Sequence, residues 1–153
     1  MFRSRKSRRY VSRPKRNAER RVRAGTSSIA GASQVAAVTY TAPDAQTVKS
    51  IKLDLGVVGG IDGGLYNIPY VLVRVPEGYN PNTILYPAIS NDMYNPTEQV
   101  IISGVLTDTG TEDHKYNSYG RKMKEGDRLM LICFNASNDT VTVSFELSFS
   151  VLS

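Results

Sequence analysis

Residues 140–152, TVTVSFELSFSVL, alternate without a break. Val141, Val143, Phe145, Leu147, Phe149 and Val151 fall on one side of an extended chain, and Thr142, Ser144, Glu146, Ser148 and Ser150 on the other. A period of two suits a strand with one face on a core and the other in water, and it does not suit a helix. Such a strand needs paired neighbours and an opposing apolar layer, which points to an antiparallel sheet packed on a second sheet. The rest of the body reads the same way. Residues 34–40 read as a first strand. Ile51, Leu53 and Leu55 alternate with Lys52 and Asp54, and Val71, Val73 and Val75 share one face of a strand over 68–75. Further strands are expected at 83–89, 99–106, around 114–119 and at 128–134. The glycine-rich run GVVGGIDGGL at 56–65 and the PEGYNPN run at 76–82 read as turns. Gly126-Asp127 reads as another, and Asn138-Asp139 predicts a turn closing a C-terminal hairpin. About seven or eight short strands and no helix predict an all-β sandwich or barrel. Periodicity alone leaves jelly-roll, immunoglobulin-like and OB topologies open.

The N-terminus is a different object. Eleven of the first 23 residues are Lys or Arg: Arg3, Arg5, Lys6, Arg8, Arg9, Arg13, Lys15, Arg16, Arg20, Arg21 and Arg23. Glu19 is the one acid there, so the segment carries +10; the whole chain carries +5, which leaves −5 on residues 24–153. A run of like charge repels itself and has little apolar surface to bury, so it is expected to be disordered alone and to order on a polyanion. Nucleic acid is the commonest one, and these eleven residues are the expected binding set. Asn17 is placed to cap a short helix over 17–24 on a phosphate backbone. Residues 24–34, AGTSSIAGASQ, are small and polar and read as a flexible linker. The expected division is therefore a basic arm and linker at 1–34 and a β-sandwich domain at 35–153, enough for one modest core.

Other uses of the arm fit less well. A mitochondrial transit peptide is also rich in Arg and Ser, but Pro14 interrupts the helix it needs, and Phe2, Tyr10, Val11 and Val22 form no stripe. Arg5-Lys6 with Arg8-Arg9, and Lys15-Arg16, suit a nuclear localisation signal, which is compatible with nucleic-acid binding. Residues 1–34 hold no apolar h-region, so no secretory leader is expected, and no apolar run approaches the ~18 residues of a membrane helix.

Motifs with chemical meaning are few. Asp108-Thr109-Gly110 mimics the aspartic-protease triplet, but that triplet sits early in retroviral-type domains and here it comes late, ahead of a polar Thr111-Glu112-Asp113-His114 turn. The glycines at 56–64 lack the following Lys-Ser or Lys-Thr of a phosphate-cradling loop. His114 is the one histidine and Cys133 the one cysteine, which leaves no disulfide framework and no His-rich metal site. Asn135 and Asn138 both begin glycosylation sequons and read as turn residues. Arg121, Lys122 and Lys124 lie close to Tyr116 and Tyr119; a solvated loop and a nucleic-acid or subunit contact both stay open. No catalytic residue, metal or cofactor is expected.

In layout, an Arg-rich arm (RSRKSRRYVSRPKR), a small-residue linker and a compact β body ending in GDRLMLICFNASNDTVTVSFELSFSVL, the chain resembles the capsid proteins of small icosahedral viruses. The likeness is to circular Rep-encoding single-stranded DNA viruses and to small satellite viruses. It implies a single jelly-roll-like sandwich that assembles with itself into a shell of about 60 copies. Arms would point inward onto a viral genome, single-stranded DNA more readily than RNA. Sixty arms would bring on the order of 600 positive charges, enough for a genome of about a kilobase. The tyrosine-bearing loops at 76–96 and 111–124 would supply subunit contacts. A virion location follows from the same resemblance; the basic clusters add an expected host-nuclear location with a nuclear import receptor as a further partner, and the lack of a long apolar run predicts no membrane insertion. The alternative is a non-capsid nucleic-acid-binding protein, an OB-like barrel with a basic tail. In that case the barrel keeps binding when residues 1–23 are removed.

Overall fold

The computed structural model describes residues 18–60, 65–78, 100–108 and 112–153. Among these there is no helix, and nine strands account for most of the chain. They are β1 (Ala18–Ile29), β2 (Ser33–Thr41), β3 (Gln46–Gly59), β4 (Leu65–Val75), β5 (Val100–Asp108), β6 (Glu112–Asn117), β7 (Arg121–Met123), β8 (Arg128–Asn135) and β9 (Val141–Leu152). One sheet has the order β1-β9-β3-β6, with β7 also on β3; the other has the order β2-β8-β4-β5. We call them sheet A and sheet B. β6 pairs with residues 51–56 of β3 and β7 with residues 46–48, so the two act as one interrupted strand. All pairings are antiparallel. Apart from the β4–β5 and β6–β7 connections, each link carries the chain from one sheet to the other. Eight effective strands in two four-stranded sheets, in this order, form a jelly roll, whereas an OB fold is a five-stranded barrel.

The core lies between the sheets. β9 contributes Val141, Val143, Leu147, Phe149 and Val151 as read from its alternation, with Phe145 partly buried against the same cluster. β3 adds Val48, Ile51, Leu53, Leu55 and Val57; β4 and β8 add Ile68, Tyr70, Leu72, Leu129, Leu131 and Cys133 from the facing sheet. Tyr40 packs on Phe149 with ring centroids 4.9 Å apart. Val71, Val73 and Val75 do share a face, but it is the outer face of sheet B, where they cluster with Met130 and Ile132. The central strands of sheet B are thus apolar on both sides. Gly104 pairs with Tyr70 across β5 and β4, and the tyrosine ring occupies the space a side chain would take. The Tyr70 hydroxyl then reaches past it to donate to Asp113 Oδ2 on β6 at 2.8 Å, tying the two sheets together at one side.

Several expectations change. Residues 18–24 are strand and not helix, and the expected linker at 24–34 is instead the rest of β1, a turn and the start of β2. β1 has almost no apolar side; only Ile29 is buried. What holds it is the open edge of β9, with which it stays in register from Ala18↔Leu152 to Ile29↔Val141. Backbone pairing there overrides a sequence that has no strand period. The predicted C-terminal hairpin is not one: β8 lies in sheet B and β9 in sheet A, so residues 136–140 cross the sandwich edge. Turn residues announce a reversal without saying which strand the chain pairs with afterwards. β3 continues through Gly59, which makes the first glycines of the 56–65 run part of a strand. The expected strand at 83–89 and most of the 76–96 loop lie outside the described residues, as do Thr109 and Gly110.

Candidate nucleic-acid interface

Arg3, Arg5, Lys6, Arg8, Arg9, Arg13, Lys15 and Arg16 lie outside the described residues. The other three predicted binders are on β1, where alternation separates them. Arg20 points away from the core, and its Nη2 donates to the Ser148 hydroxyl at 2.7 Å. Arg21 points the other way. Its guanidinium sits 5.5 Å from the centre of the Tyr40 ring and 3.0 Å from Glu19, so much of its charge is already answered. Arg23 is exposed and donates to the Val22 carbonyl at 3.1 Å.

The registers define the outer face of sheet A as a series of rows across β1, β9, β3 and the β6/β7 edge. One row holds Ala18, Leu152, Thr47 and Lys122. The next holds Arg20, Ser150 and Lys49, and the third Val22, Ser148, Lys52 and Tyr116. The fourth holds Ala24, Glu146, Asp54 and His114, and the fifth Thr26, Ser144, Gly56 and Glu112. Two halves of opposite sign result. Arg20, Lys49, Lys52 and Lys122 occupy the half where residues 1–17 join β1, with no acid in those rows. Glu146, Asp54 and Glu112 occupy the half beyond.

A bulge creates the cationic half. The β3–β9 register shifts between Lys49 and Lys52, where Ser50 takes a φ of 52°. Val48 and Ile51 both stay in the core as a result, at 0% exposure. Lys49 and Lys52, three residues apart, come to lie in successive outward rows. Lys52 Nζ is 6.0 Å from the centre of the exposed Tyr116 ring. At the end of the sheet, Arg74, Lys122 and Lys124 line an open cleft of about 460 Å³. Arg74 Nη1 donates to the Lys122 carbonyl at 2.7 Å and stands 4.0 Å from the buried Asp127. Of the basic cluster left open by the sequence, Lys122 is therefore on the face of sheet A, Lys124 beside it in the turn, and Arg121 half-buried.

In the acidic half, His114 lies on strand β6 and not in a loop. Its Nδ1 is 2.6 Å from Asp54 Oδ1 and its Nε2 3.7 Å from Glu112 Oε2. The hydrogen bond to Asp54, then that carboxylate's charge, raise the imidazole above its ordinary value of 6.5. A raised histidine stabilises the fold fully below its unfolded value, and the contribution disappears as pH rises through the folded value. Titrating the imidazole proton resonances by NMR is expected to give a midpoint above 6.5, and Asp54→Asn to bring it down toward that value.

Cys133 is buried in the core, which pushes its thiol up to about 12. Among the described residues no group of three or more His, Cys, Asp or Glu side chains is placed to hold a metal ion.

No protein-family model matches the chain, and neither does any curated protein. Among solved structures, that of infectious bursal disease virus, Gx strain, is similar in fold at 8% identity and a TM-score of 0.40, over 88% of this chain. The chain spans only 32% of that protein. The crystal structure of the decameric BFDV capsid protein is similar at 9% identity and a TM-score of 0.38, over 88% of this chain and 96% of that one. At this level of likeness the strand order is the stronger observation.

Proposed function

We propose that the chain is the coat protein of a small icosahedral virus, which assembles with itself into a closed shell and packages the genome through its basic N-terminal segment. The observation that carries this reading is the joining of two parts. An eight-stranded jelly roll, a fold widely used for capsid walls, is continuous through β1 with a segment of eight cations and no acid in residues 1–17. A segment so charged repels itself and is stabilised by meeting a polyanion. Binding through so many phosphates is largely independent of sequence and steeply dependent on salt, which suits packaging and does not suit regulation of a chosen site. The role is structural and non-enzymatic. Nuclear import through Arg5-Lys6, Arg8-Arg9 and Lys15-Arg16 would place assembly with a single-stranded DNA genome in the host nucleus.

Expression of the full chain, followed by negative-stain imaging and mass measurement over a range of salt, tests the proposal. Closed particles of one diameter are expected. Monomers or dimers alone, at every salt concentration, would remove the basis for it.

A further inference from the structure

We propose that the cationic half of sheet A's outer face is a second nucleic-acid surface. In it Arg20, Lys49, Lys52 and Lys122 hold the phosphates of a single strand, and Tyr116 stacks on one of its bases. This deepens the coat-protein reading and rests on it. It assigns to the folded body a binding role beyond the charge of residues 1–17.

Three observations converge. First, the four cations are placed together by register and not by sequence, since they come from β1, β3 and β7. Successive outward rows are about 6.8 Å apart, and Arg20 and Lys49 flank β9 at about 10 Å. Those separations are comparable to the ~8 Å Debye length at physiological salt, so the fields of neighbouring cations reinforce one another. Second, the charges are not spent within the chain. Among the described residues none of the four pairs with a carboxylate, and Arg20 bonds only the Ser148 hydroxyl. A cationic cluster without acids is self-repelling and gains by meeting an anion. By contrast, Asp54 and Glu112 in the next rows are engaged with His114. Third, the surroundings suit a backbone and a base. Ser150 lies between Arg20 and Lys49, where a small hydroxyl can donate to a phosphate oxygen without blocking approach. Tyr116 is 59% exposed, next to Lys52 at the edge of the same face, and offers a ring for stacking.

The acidic rows give the site direction. A strand lying on rows one to three is repelled from rows four and five, so it stays on the half where residues 1–17 join β1. The basic segment and the patch then act on the same length of nucleic acid. Sheet A faces the genome, and sheet B faces away from it.

The test uses the full-length protein and a fluorescent oligothymidylate, with affinity measured by anisotropy over a salt series. The variants are Lys49→Ala with Lys122→Ala, and Tyr116→Ala. Lys122 and Tyr116 are exposed and Lys49 is half-buried, and a thermal melt checks that the fold is kept. The double lysine variant is expected to lower the slope of log K against log salt by about 1.4, at ~0.7 per phosphate contact on a single strand. Tyr116→Ala is expected to lower affinity by about tenfold with the slope kept. If the parent binds and the lysine variant has the parent's slope and affinity, the patch is not a binding surface, while the coat-protein reading stands. If the lysine variant binds normally but no longer forms particles, the face is a contact between copies and the inference is wrong. If the parent itself shows no salt-dependent binding, both readings fall.

Discussion

Replacing Arg3, Arg5, Lys6, Arg8, Arg9, Arg13, Lys15 and Arg16 with glutamine is expected to remove most of the salt dependence of nucleic-acid binding. At ~0.7 per phosphate contact, eight contacts account for a slope of about 5 to 6. Between 50 and 200 mM salt such a slope costs the parent on the order of 10³ in affinity. The variant retains only what the body supplies, a slope of about 3 if all four cations of sheet A contribute. Its formal charge falls from +5 to −3 once the eight cations are gone, so long-range attraction becomes repulsion. Particle formation is expected to survive, because the nine strands and the core between them are built from residues at and beyond Ala18. The particles should hold much less nucleic acid, with an ultraviolet absorbance ratio shifted toward that of protein alone. Arg20, Arg21 and Arg23 are left in place because they belong to β1, and Arg21 in particular is held by Tyr40 and Glu19. An unchanged slope in the eightfold variant would mean that the segment does not meet phosphate at all.

The two halves of this system were unequally legible from the residues. The faces of β9 could be read directly, because a half-buried strand imposes a period of two on its side chains and Val141 to Val151 show it. β1 could not be read. Arg20-Arg21-Val22-Arg23 has the composition of a solvated arm, and it is a strand because β9 leaves an edge open beside it. The cationic half of sheet A was hidden for a related reason. Positions 20, 49, 52 and 122 meet only once three strands are in register and the bulge at Ser50 has turned Lys49 and Lys52 to the same side. A net charge of −5 over residues 24–153 gave no hint of it, since a sum does not report how the signs are distributed. The one available signal was the spacing of Val48 and Ile51. Two core residues three apart in a strand break the alternation and imply a bulge between them.

Asn135→Ala is expected to be among the most destabilising single substitutions in the body, although the sequence alone treats Asn135 and Asn138 alike as the first residues of two sequons. Asn135 ends β8 and is fully buried, with 0% exposure. Its Nδ2 donates to the carbonyl of Ile29 at 3.0 Å and to that of Asp139 at 2.6 Å. Its Oδ1 accepts from the Ser137 amide at 3.0 Å and also from the Ser137 hydroxyl. One side chain thus ties the end of β1 to the crossing that carries the chain from sheet B to sheet A. Alanine leaves two carbonyls and an amide without these partners, at about 1–3 kcal/mol for each group that water cannot reach. A loss of about 3–5 kcal/mol is expected, equivalent to about 10 °C or more in the melting temperature of a domain this size. Asn135→Asp discriminates the cause. It keeps the volume and the acceptor but sets a carboxylate against the Ile29 and Asp139 carbonyls. That environment raises its pKa, so the variant should be weakest at neutral pH and recover part of its stability as the acid protonates. Asn138→Ala, at an exposed position in the same turn, should stay within about 0.5 kcal/mol of the parent. Denaturant unfolding of the unassembled chain at two pH values measures all three. Equal stabilities for the alanine variants would show that water satisfies the corner without Asn135, and that the crossing is held by packing instead.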